Sequence, residues 1–319
     1  MKKLVLVIIG VILITMIIPL FTYIKNGKYE KPKPEAEATI SVYIKDEDKV
    51  VTMSKSQYLK EVVAAEMPAD FEPEALKAQA VAARSYLESR QNAYKVSGTP
   101  PEHKGADTCT DHTHCKAWIS EAKRRELWGT DADKNWDKIS KAVEETEGEV
   151  ITYSGEVISA VFHSTSSGKT ENSKDVWGGE RPYLVSVESP GDLQSPKYSS
   201  QNEFTLTDFK RIAQENIEGV DFNKGIIENI KRSEAGGITE VTVGGVKIHG
   251  TKLRSIYGLR STNCDISISN DKVTFNVKGY GHGVGMSQYG ANYMAKDGKD
   301  YKEILTTYYQ GTEIKKSVP

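Results

Sequence analysis

The sequence predicts an α+β protein, with antiparallel strands and helices in separate runs of one large domain behind a single N-terminal transmembrane helix. Three observations predict it. An apolar run of membrane-spanning length opens the chain, apolar residues at helical spacing follow over residues 56–86, and short apolar segments bounded by turn residues dominate residues 150–277. A chain of 319 residues has room for one large domain or for two lobes flanking a substrate cleft.

The opening apolar run predicts an uncleaved signal anchor. Lys2 and Lys3 precede it, it extends over residues 4–24, and Lys25 ends it. A spanning helix needs roughly 20 apolar residues, and no small-x-small cleavage site follows the run. Positive charge tends to stay on the cytoplasmic side, so residues 1–3 are predicted to be a cytoplasmic tip, with the rest of the chain outside. A cleaved signal peptide or a buried core helix is the alternative.

The next segment predicts a disordered stalk. Residues 25–38 are rich in Lys, Glu and Pro, a composition that cannot bury enough apolar surface to fold. The folded ectodomain is therefore predicted over residues 39–319. The whole chain is expected to be a single-pass protein of the cell membrane with an extracytoplasmic domain.

Charge and cysteine content narrow the function classes. Lys plus Arg total 42 against 44 for Asp plus Glu, so no basic excess predicts a nucleic-acid partner. The three cysteines are an odd number for an oxidising compartment, where an even set of disulfide-bonded cysteines is expected. At least one thiol therefore has another role.

Periodicity and turn residues place the secondary structure of the ectodomain. Alternating apolar residues on both sides of an acidic turn predict a hairpin, and a serine followed by an apolar stripe predicts the first helix, with Ser56 as its N-cap. The predicted elements are a hairpin over 40–51, helices over 56–66 and from 73 past 86, a polar loop over 103–118, a helix over 136–146, a hairpin over 150–162 around Ser154-Gly155, a helix over 207–215, a strand over 238–243, a short helix over 253–257, a hairpin over 265–277 around Asn270-Asp271, and helices over 287–295 and 301–309.

Glu66 lies at the edge of the apolar stripe of the first predicted helix. Tyr58, Leu59, Val62 and Ala65 share that stripe. Desolvation and the negative end of the helix dipole both disfavour the charged carboxylate and would raise its pKa. A raised pKa is what a general acid working near neutral pH requires. A solvated glutamate in the last turn is the other interpretation, and position alone favours it.

Two later segments are rich in hydrogen-bonding groups. Residues 162–168 offer hydroxyls and an imidazole, and residues 279–290 alternate glycines around His282 and Gln288. The glycine run lacks the Gly-Lys-Ser/Thr ending of a phosphate loop and the spacing of a dinucleotide fingerprint. It could instead let a sugar approach the backbone, with His282 and Gln288 as hydrogen-bond donors; a tight structural turn is an equal alternative. A serine nucleophile beside His163 is not predicted, since no orienting acid or sharp elbow accompanies it.

The polar loop over 103–118 predicts a zinc site. Thiolates and imidazoles are suitable tetrahedral ligands for zinc, and the expected ligands are His103, Cys109, His114 and Cys115, with His112 as a spare. Four protein ligands would leave no position for an activated water, so the metal is expected to be structural. A disulfide between the two cysteines competes with this prediction, because the compartment is oxidising.

Several motifs in order along the ectodomain resemble the stage II sporulation protein D family. The resemblance begins with residues 58–63, Glu66-Met67-Pro68 and the alanine-rich residues 74–86. It continues through His114-Cys115, residues 162–168, Trp177-Gly178-Gly179, residues 258–261 and residues 279–291. One departure is local: Lys116 and Trp118 stand where Gln and Tyr are expected after the loop cysteine.

The resemblance implies a lytic transglycosylase with Glu66 as its catalytic residue. It therefore favours a catalytic Glu66 over the solvated glutamate that position alone favours. One carboxylate suffices because the nucleophile is the C6 hydroxyl of the muramic acid itself, whereas hydrolytic glycosidases generally need a second carboxylate. No cofactor is expected for catalysis. The predicted substrate-binding residues are Gln79, Arg84, Tyr86, His163, Ser164, Ser166, His282 and Gln288.

The resemblance also implies a biological setting. The family's substrate is peptidoglycan whose stem peptides a partner amidase has removed, during engulfment of the forespore. The expected partners are glycan strands and the membrane-anchored sporulation proteins M and P, at the mother-cell membrane facing the septal wall. Two other function classes remain open: a zinc-dependent cell-wall amidase or peptidase, and a non-catalytic scaffold that binds the wall.

Overall fold

The computed structural model describes residues 38–111 and 113–317. The predicted anchor over 4–24 and the predicted stalk up to residue 37 lie outside the described residues. Within the described ranges, no helix has both the length and the apolarity needed to cross a membrane.

The described chain is a mixed α+β structure. Its helices are α1 (Lys55–Glu66), α2 (Pro73–Ser97), α3 (Glu121–Trp128), α4 (Ala132–Glu145), α5 (Ser173–Trp177), α6 (Leu206–Asn216), α7 (Gly250–Ile256), α8 (Gln288–Lys296) and α9 (Tyr301–Tyr308). Its strands are β1 (Thr39–Ile44), β2 (Lys49–Ser54), β3 (Thr108–Cys109), β4 (Glu149–Tyr153), β5 (Glu156–Val157), β6 (Phe162–His163), β7 (Ser199–Thr205), β8 (Ile227–Arg232), β9 (Ile238–Val243), β10 (Val246–His249), β11 (Cys264–Ser269), β12 (Lys272–Lys278), β13 (Met286–Ser287) and β14 (Glu313–Lys316).

The strands form small sheets with mainly antiparallel pairing. Three sheets are entirely antiparallel, with the orders β10-β9-β8, β11-β12-β7 and β14-β4-β5. A fourth has the order β2-β1-β3, in which β3 runs parallel to β1. The parallel pair of β6 and β13 joins residues more than a hundred positions apart.

Two predicted hairpin turns are confirmed, and their backbone angles explain why the sequence signal was strong. Ser154 and Gly155 have φ of 51° and 88°, and Asn270 and Asp271 have φ of 49° and 57°. Two successive residues in the left-handed region match the twist of a two-residue hairpin, and Gly, Asn and Asp tolerate that region best. The hairpin over 150–162 was predicted too long, however. Its second strand ends at Val157, because β6 pairs with β13 instead.

The predicted N-cap of the first helix is wrong. Ser54 caps α1, its hydroxyl accepting a hydrogen bond of 3.1 Å from the amide of Gln57. Ser54 is also the last residue of β2 and keeps an extended backbone, so the strand passes directly into the helix. Ser56 therefore lies inside α1.

The larger of the two cores surrounds α2. Ala75, Ala78 and Ala82 on this helix are fully buried, and their small side chains allow close approach of the neighbouring helices α1, α4, α8 and α9. The antiparallel strand β4 packs on the same helix. This core positions the end of α1, which carries Glu66.

A second core belongs to a lobe formed by residues 199–278. Phe209, Tyr257 and Phe275 lie at its centre, with the first two rings stacked at 4.8 Å between centroids. The chain leaves the larger core at Tyr198 and returns at Gly279, whose amide donates a hydrogen bond of 2.6 Å to the Tyr198 carbonyl. These two cores, and a small third cluster of Tyr43, Ala106, Cys109 and Cys115, lie in the single compact unit that begins at Thr39.

Candidate active site

Glu66 is the last residue of α1 and is half-buried beside the core. Tyr58 and Val62 on the same stripe are buried, as the helical spacing predicted. Met67 adopts an extended backbone and ends the helix, so the carboxylate projects from its C-terminal end. The Glu66 Oε1 accepts a hydrogen bond of 3.0 Å from the backbone amide of Ala117, which orients the carboxylate.

The loop that supplies this amide also places a lysine next to Glu66. The Lys116 Nζ lies 4.1 Å from the centroid of the Tyr86 ring and 3.9 Å from that of the Phe162 ring, so the ammonium of this half-buried residue is held between two aromatic faces. Burial lowers the pKa of Lys116 to about 8, while the negative charge of Glu66 acts in the opposite direction. Tyr86, a predicted substrate-binding residue, therefore lies in the same site as Glu66.

Trp118 and Glu61 fix the loop on α1. The indole Nε1 of Trp118 donates a hydrogen bond of 2.8 Å to Glu61 Oε2, and the amide of Glu121 donates one of 2.9 Å to Glu61 Oε1. Burial raises the pKa of Glu61, and these hydrogen bonds oppose that effect. The departure at Trp118 thus contributes a loop anchor, and Glu61 is a positioning residue that the sequence did not single out.

His163 and His282 both hydrogen-bond the backbone of Val284 in the glycine-rich segment. His163 Nδ1 donates a hydrogen bond of 3.2 Å to the Val284 carbonyl, and the Val284 amide donates one of 3.1 Å to His282 Nδ1. Burial lowers the pKa of His163 to about 4 and, together with His163, lowers that of His282 well below its ordinary value. Both imidazoles are therefore neutral at pH 7, and the geometry favours a structural role alongside any contact with a sugar.

Trp177 packs beside His282, although it was not among the predicted site residues. Its ring packs against His282 with centroids 5.0 Å apart, and half of its surface is exposed. His282 also hydrogen-bonds the backbone of Phe162, the residue that faces Lys116. Three residues, His282, Phe162 and Lys116, thus link the exposed indole to Glu66. Indole faces stack well on sugar rings.

The two predicted glutamines meet in the packing between α2 and α8. Gln288 Nε2 donates a hydrogen bond of 3.3 Å to Gln79 Oε1, and both side chains are buried. The Gln79 Nε2 has no hydrogen-bond partner among the described residues. Arg84, by contrast, is buried with its guanidinium on the backbone carbonyls of Val143 and Glu149 at 3.2 and 3.0 Å. Those contacts join α2 to the end of α4 and the start of β4.

One predicted serine, Ser166, contacts a buried aspartate. Asp192 Oδ2 accepts hydrogen bonds from the amide and hydroxyl of Ser166 at 3.0 and 2.5 Å, and Asp192 Oδ1 accepts one of 2.7 Å from the Ser287 hydroxyl. Burial raises the pKa of Asp192. Ser164 is half-buried, and its carbonyl accepts a hydrogen bond of 3.1 Å from the Tyr289 amide. Asp192 carries no sequence signal, since it stands alone in a short turn.

The predicted zinc ligands converge in space. His103 Nε2 lies 3.2 Å from both His114 Nδ1 and Cys115 Sγ, and His114 Nδ1 lies 3.6 and 3.5 Å from Cys109 Sγ and Cys115 Sγ. All four ligand atoms are within 4.8 Å of one another, and both cysteines are free thiols. The His103 Nδ1 hydrogen-bonds the Ala106 carbonyl at 3.2 Å, which directs Nε2 inward.

The Cys/His cluster is continuous in sequence with the residues that contact Glu66. Cys115 directly precedes Lys116, so the cluster and the amide that orients Glu66 belong to one short segment. His112, the predicted spare ligand, lies outside the described residues. Cys264 is buried in the second lobe and takes no part in the cluster.

The family model and two similar curated relatives indicate the same protein family. A sequence model described as "Stage II sporulation protein" matches residues 43–153, the segment that contains Glu66 and the Cys/His cluster. The chain is 36% identical to stage II sporulation protein D of Bacillus amyloliquefaciens over 280 residues, covering 88% of this chain and 79% of the relative. It is 37% identical to the protein of the same name from Bacillus subtilis, covering 86% and 78%. A third relative, named amidase enhancer, from Bacillus subtilis, is 29% identical over 80% of this chain and 40% of its own length. With this identity over most of its length, the chain belongs to the stage II sporulation protein D family.

Proposed function

We propose that the protein is a peptidoglycan lytic transglycosylase of sporulation that cleaves glycan strands between N-acetylmuramic acid and N-acetylglucosamine. The observation that supports it most is the half-buried Glu66 carboxylate, held at the end of α1 by the amide of Ala117. The exposed indole of Trp177, which is suited to sugar rings, is linked to this site through His282, Phe162 and Lys116. Membership of the sporulation protein family supports the biological setting.

The chemistry needs one group that first gives and then takes a proton. Because Glu66 Oε1 accepts from Ala117, the proton of the neutral carboxyl is placed on Oε2. Glu66 donates this proton to the glycosidic oxygen as the bond to C1 of the muramic acid breaks, and N-acetylglucosamine leaves with a free 4-hydroxyl. The carboxylate then takes the proton of the muramic acid C6 hydroxyl, whose oxygen bonds to C1. The product is a 1,6-anhydro-muramyl end, and Glu66 is protonated again without water or a cofactor.

The other buried carboxylates of the described residues already accept hydrogen bonds within the protein. Glu61 and Asp192 accept the hydrogen bonds described above, and Glu171 accepts one of 3.0 Å from the amide of Gly237. A retaining or inverting hydrolase would need a second carboxylate about 5–10 Å from the first. Intramolecular closure removes that requirement.

The Cys/His cluster fits a structural zinc ion. With Zn–N of about 2.1 Å and Zn–S of about 2.3 Å, tetrahedral ligand atoms are separated by about 3.3–3.8 Å. The closest separations in the cluster are 3.2–3.6 Å, and His103 is already oriented with Nε2 toward the other donors. Zinc held by His103, Cys109, His114 and Cys115 would brace the segment that presents Lys116 and Ala117 to Glu66.

Family membership supports a setting at a membrane during sporulation. We expect a single-pass anchor at the N-terminus to hold the enzyme at the mother-cell membrane facing the septal wall. Its substrate would be strands from which an amidase has removed the peptides, with sporulation proteins M and P as membrane partners. The relative named amidase enhancer supports a link to amidases.

The test uses the purified protein on peptide-free glycan strands, with products identified by mass spectrometry. We expect 1,6-anhydro-muramyl ends, and a loss of more than a hundredfold in Glu66→Gln, which removes the proton donor at nearly constant volume. Glu215→Gln, an exposed change in the second lobe, is the matched control and should retain full activity. Reducing muramic acid ends alone would indicate a hydrolase instead. Inactivation by chelation with Glu66 dispensable would indicate a metalloenzyme, and binding without fragments a scaffold.

A further inference from the structure

Lys116 places a positive charge in the catalytic site without a role in the chemistry above. Its ammonium is held between the faces of Tyr86 and Phe162, at 4.1 and 3.9 Å from the ring centroids. The next residue, Ala117, is the hydrogen-bond donor to Glu66. The ammonium is therefore fixed close to the catalytic carboxylate by two aromatic rings and a short stretch of backbone.

During proton donation, Glu66 does not neutralise the positive charge of Lys116. Glu66 must be protonated, and therefore neutral, before it can donate a proton to the glycosidic oxygen. In that state its carboxyl does not offset the charge of Lys116. A half-buried cation favours an anionic partner, because water solvates it incompletely. The substrate is the natural source of that anion.

Peptidoglycan strands carry one recurrent anion. N-acetylmuramic acid has a lactyl carboxylate on O3, whereas N-acetylglucosamine is uncharged. The lactyl carboxylate is free only when the stem peptide is absent, since a peptide converts it to a neutral amide. We propose that Lys116 binds the free lactyl carboxylate of the muramic acid at the cleavage site, and so selects strands without peptides. This inference rests on the proposed function and names a specificity-determining residue of the same site.

The geometry also explains how such a contact would help the reaction. A substrate carboxylate beside Lys116 would place negative charge near Glu66, which favours the protonated acid that catalysis requires. Tyr86 and Phe162 would keep the ammonium in place, so little side-chain freedom is lost on binding. Glutamine at this position, expected from the family resemblance, could donate a hydrogen bond but would carry no charge.

The experiment compares two substrates of equal size. One is a peptide-free glycan strand with lactyl carboxylates, and the other is the same strand with each carboxylate converted to the neutral methylamide. Wild type should prefer the free acid by about tenfold or more in kcat/KM, the range expected for a charge-assisted hydrogen bond. Lys116→Met and Lys116→Gln should lower kcat/KM for the free acid more than for the amide, so that the preference for the free acid disappears. Lys210→Met, which removes a lysine over Phe222 in the second lobe, is the matched control and should keep the preference.

Binding to the Glu66→Gln protein separates this inference from the proposed function. If neither strand is cleaved by wild type, the proposed function fails, yet a Lys116-dependent binding preference for the free acid would still support carboxylate recognition. Equal loss on both strands in Lys116→Met, with unchanged thermal unfolding, would overturn the proposal and assign Lys116 to packing between the two rings. Equal handling of both strands by wild type would also overturn it.

Discussion

The buried imidazole of His163 predicts a measurable loss of stability in acid. The ring is 4% exposed, donates to the Val284 carbonyl, and has a pKa of about 4 in the folded protein against an ordinary value of 6.5. The unfolded chain therefore binds a proton at a higher pH than the folded one. The contribution of His163 to stability is full above pH 6.5 and is lost as pH falls toward 4.

The size of the effect follows from the difference of 2.5 pKa units. At about 1.4 kcal/mol per unit, the free energy of unfolding should fall by roughly 2 kcal/mol between pH 7.5 and pH 5, and by roughly 3 kcal/mol at pH 4. His163→Asn keeps a donor near the Val284 carbonyl and removes the titrating ring. It should lack this part of the pH dependence, whatever its stability at pH 7.5.

Urea unfolding followed by tryptophan fluorescence at pH 7.5, 6 and 5 measures the difference. Wild type and variant are compared at equal metal content, so that protonation of the Cys/His cluster affects both alike. His282, whose pKa is lowered as well, contributes the same sign to both proteins. Parallel curves of unfolding free energy against pH for the two proteins would refute the reasoning.

Two further substitutions test the hydrogen bonds of Asp192 and the metal-binding role predicted for the Cys/His cluster. Asp192→Ala leaves three buried donors of Ser166 and Ser287 without their acceptor. It should therefore lower the free energy of unfolding by about 3–5 kcal/mol. A loss below 1 kcal/mol in urea unfolding would contradict this role. Cys109→Ser should reduce zinc from about one ion per chain to a small fraction by elemental analysis, whereas Cys264→Ser should leave it unchanged; metal-free wild type would contradict the site.

Features set by local chemistry were predictable from the sequence. The turns at Ser154-Gly155 and Asn270-Asp271 depend on residues that tolerate positive φ, and the structure has that conformation at each. The stripe that leads to Glu66 depends only on helical spacing. The four donors of the Cys/His cluster lie within 13 residues of chain, so proximity in sequence already limited their separation in space.

Elements that depend on distant partners were not predictable. Helix α3 has no fully buried residue. Arg124 holds it on α1 through a hydrogen bond of 2.7 Å to the Ala64 carbonyl, and the half-buried Trp128 packs against the larger core. Strand β7 consists largely of polar residues and exists through its pairing with β12, about 70 residues later. No periodicity within either segment reports such a partner.

The roles of individual polar side chains were the hardest to assign. An arginine or histidine in a motif can bind a substrate or a backbone carbonyl, and residue type does not distinguish the two. Arg84 binds the carbonyls of Val143 and Glu149, and His163 binds that of Val284, which is 121 residues away. Only the tertiary structure brings these acceptors into reach.

The way the second lobe joins the rest of the chain affects which parts of the sequence can change between members of the family. Because the chain departs at Tyr198 and returns at Gly279, and these two residues are hydrogen-bonded to each other, the lobe behaves as an insertion at a single point. Its length and surface can change without displacing α1 or the loop that faces it. The segment matched by the family model, residues 43–153, ends before this insertion and holds Glu66, Lys116 and the Cys/His cluster. The lobe can therefore differ between relatives in length and surface while the residues around Glu66 stay the same.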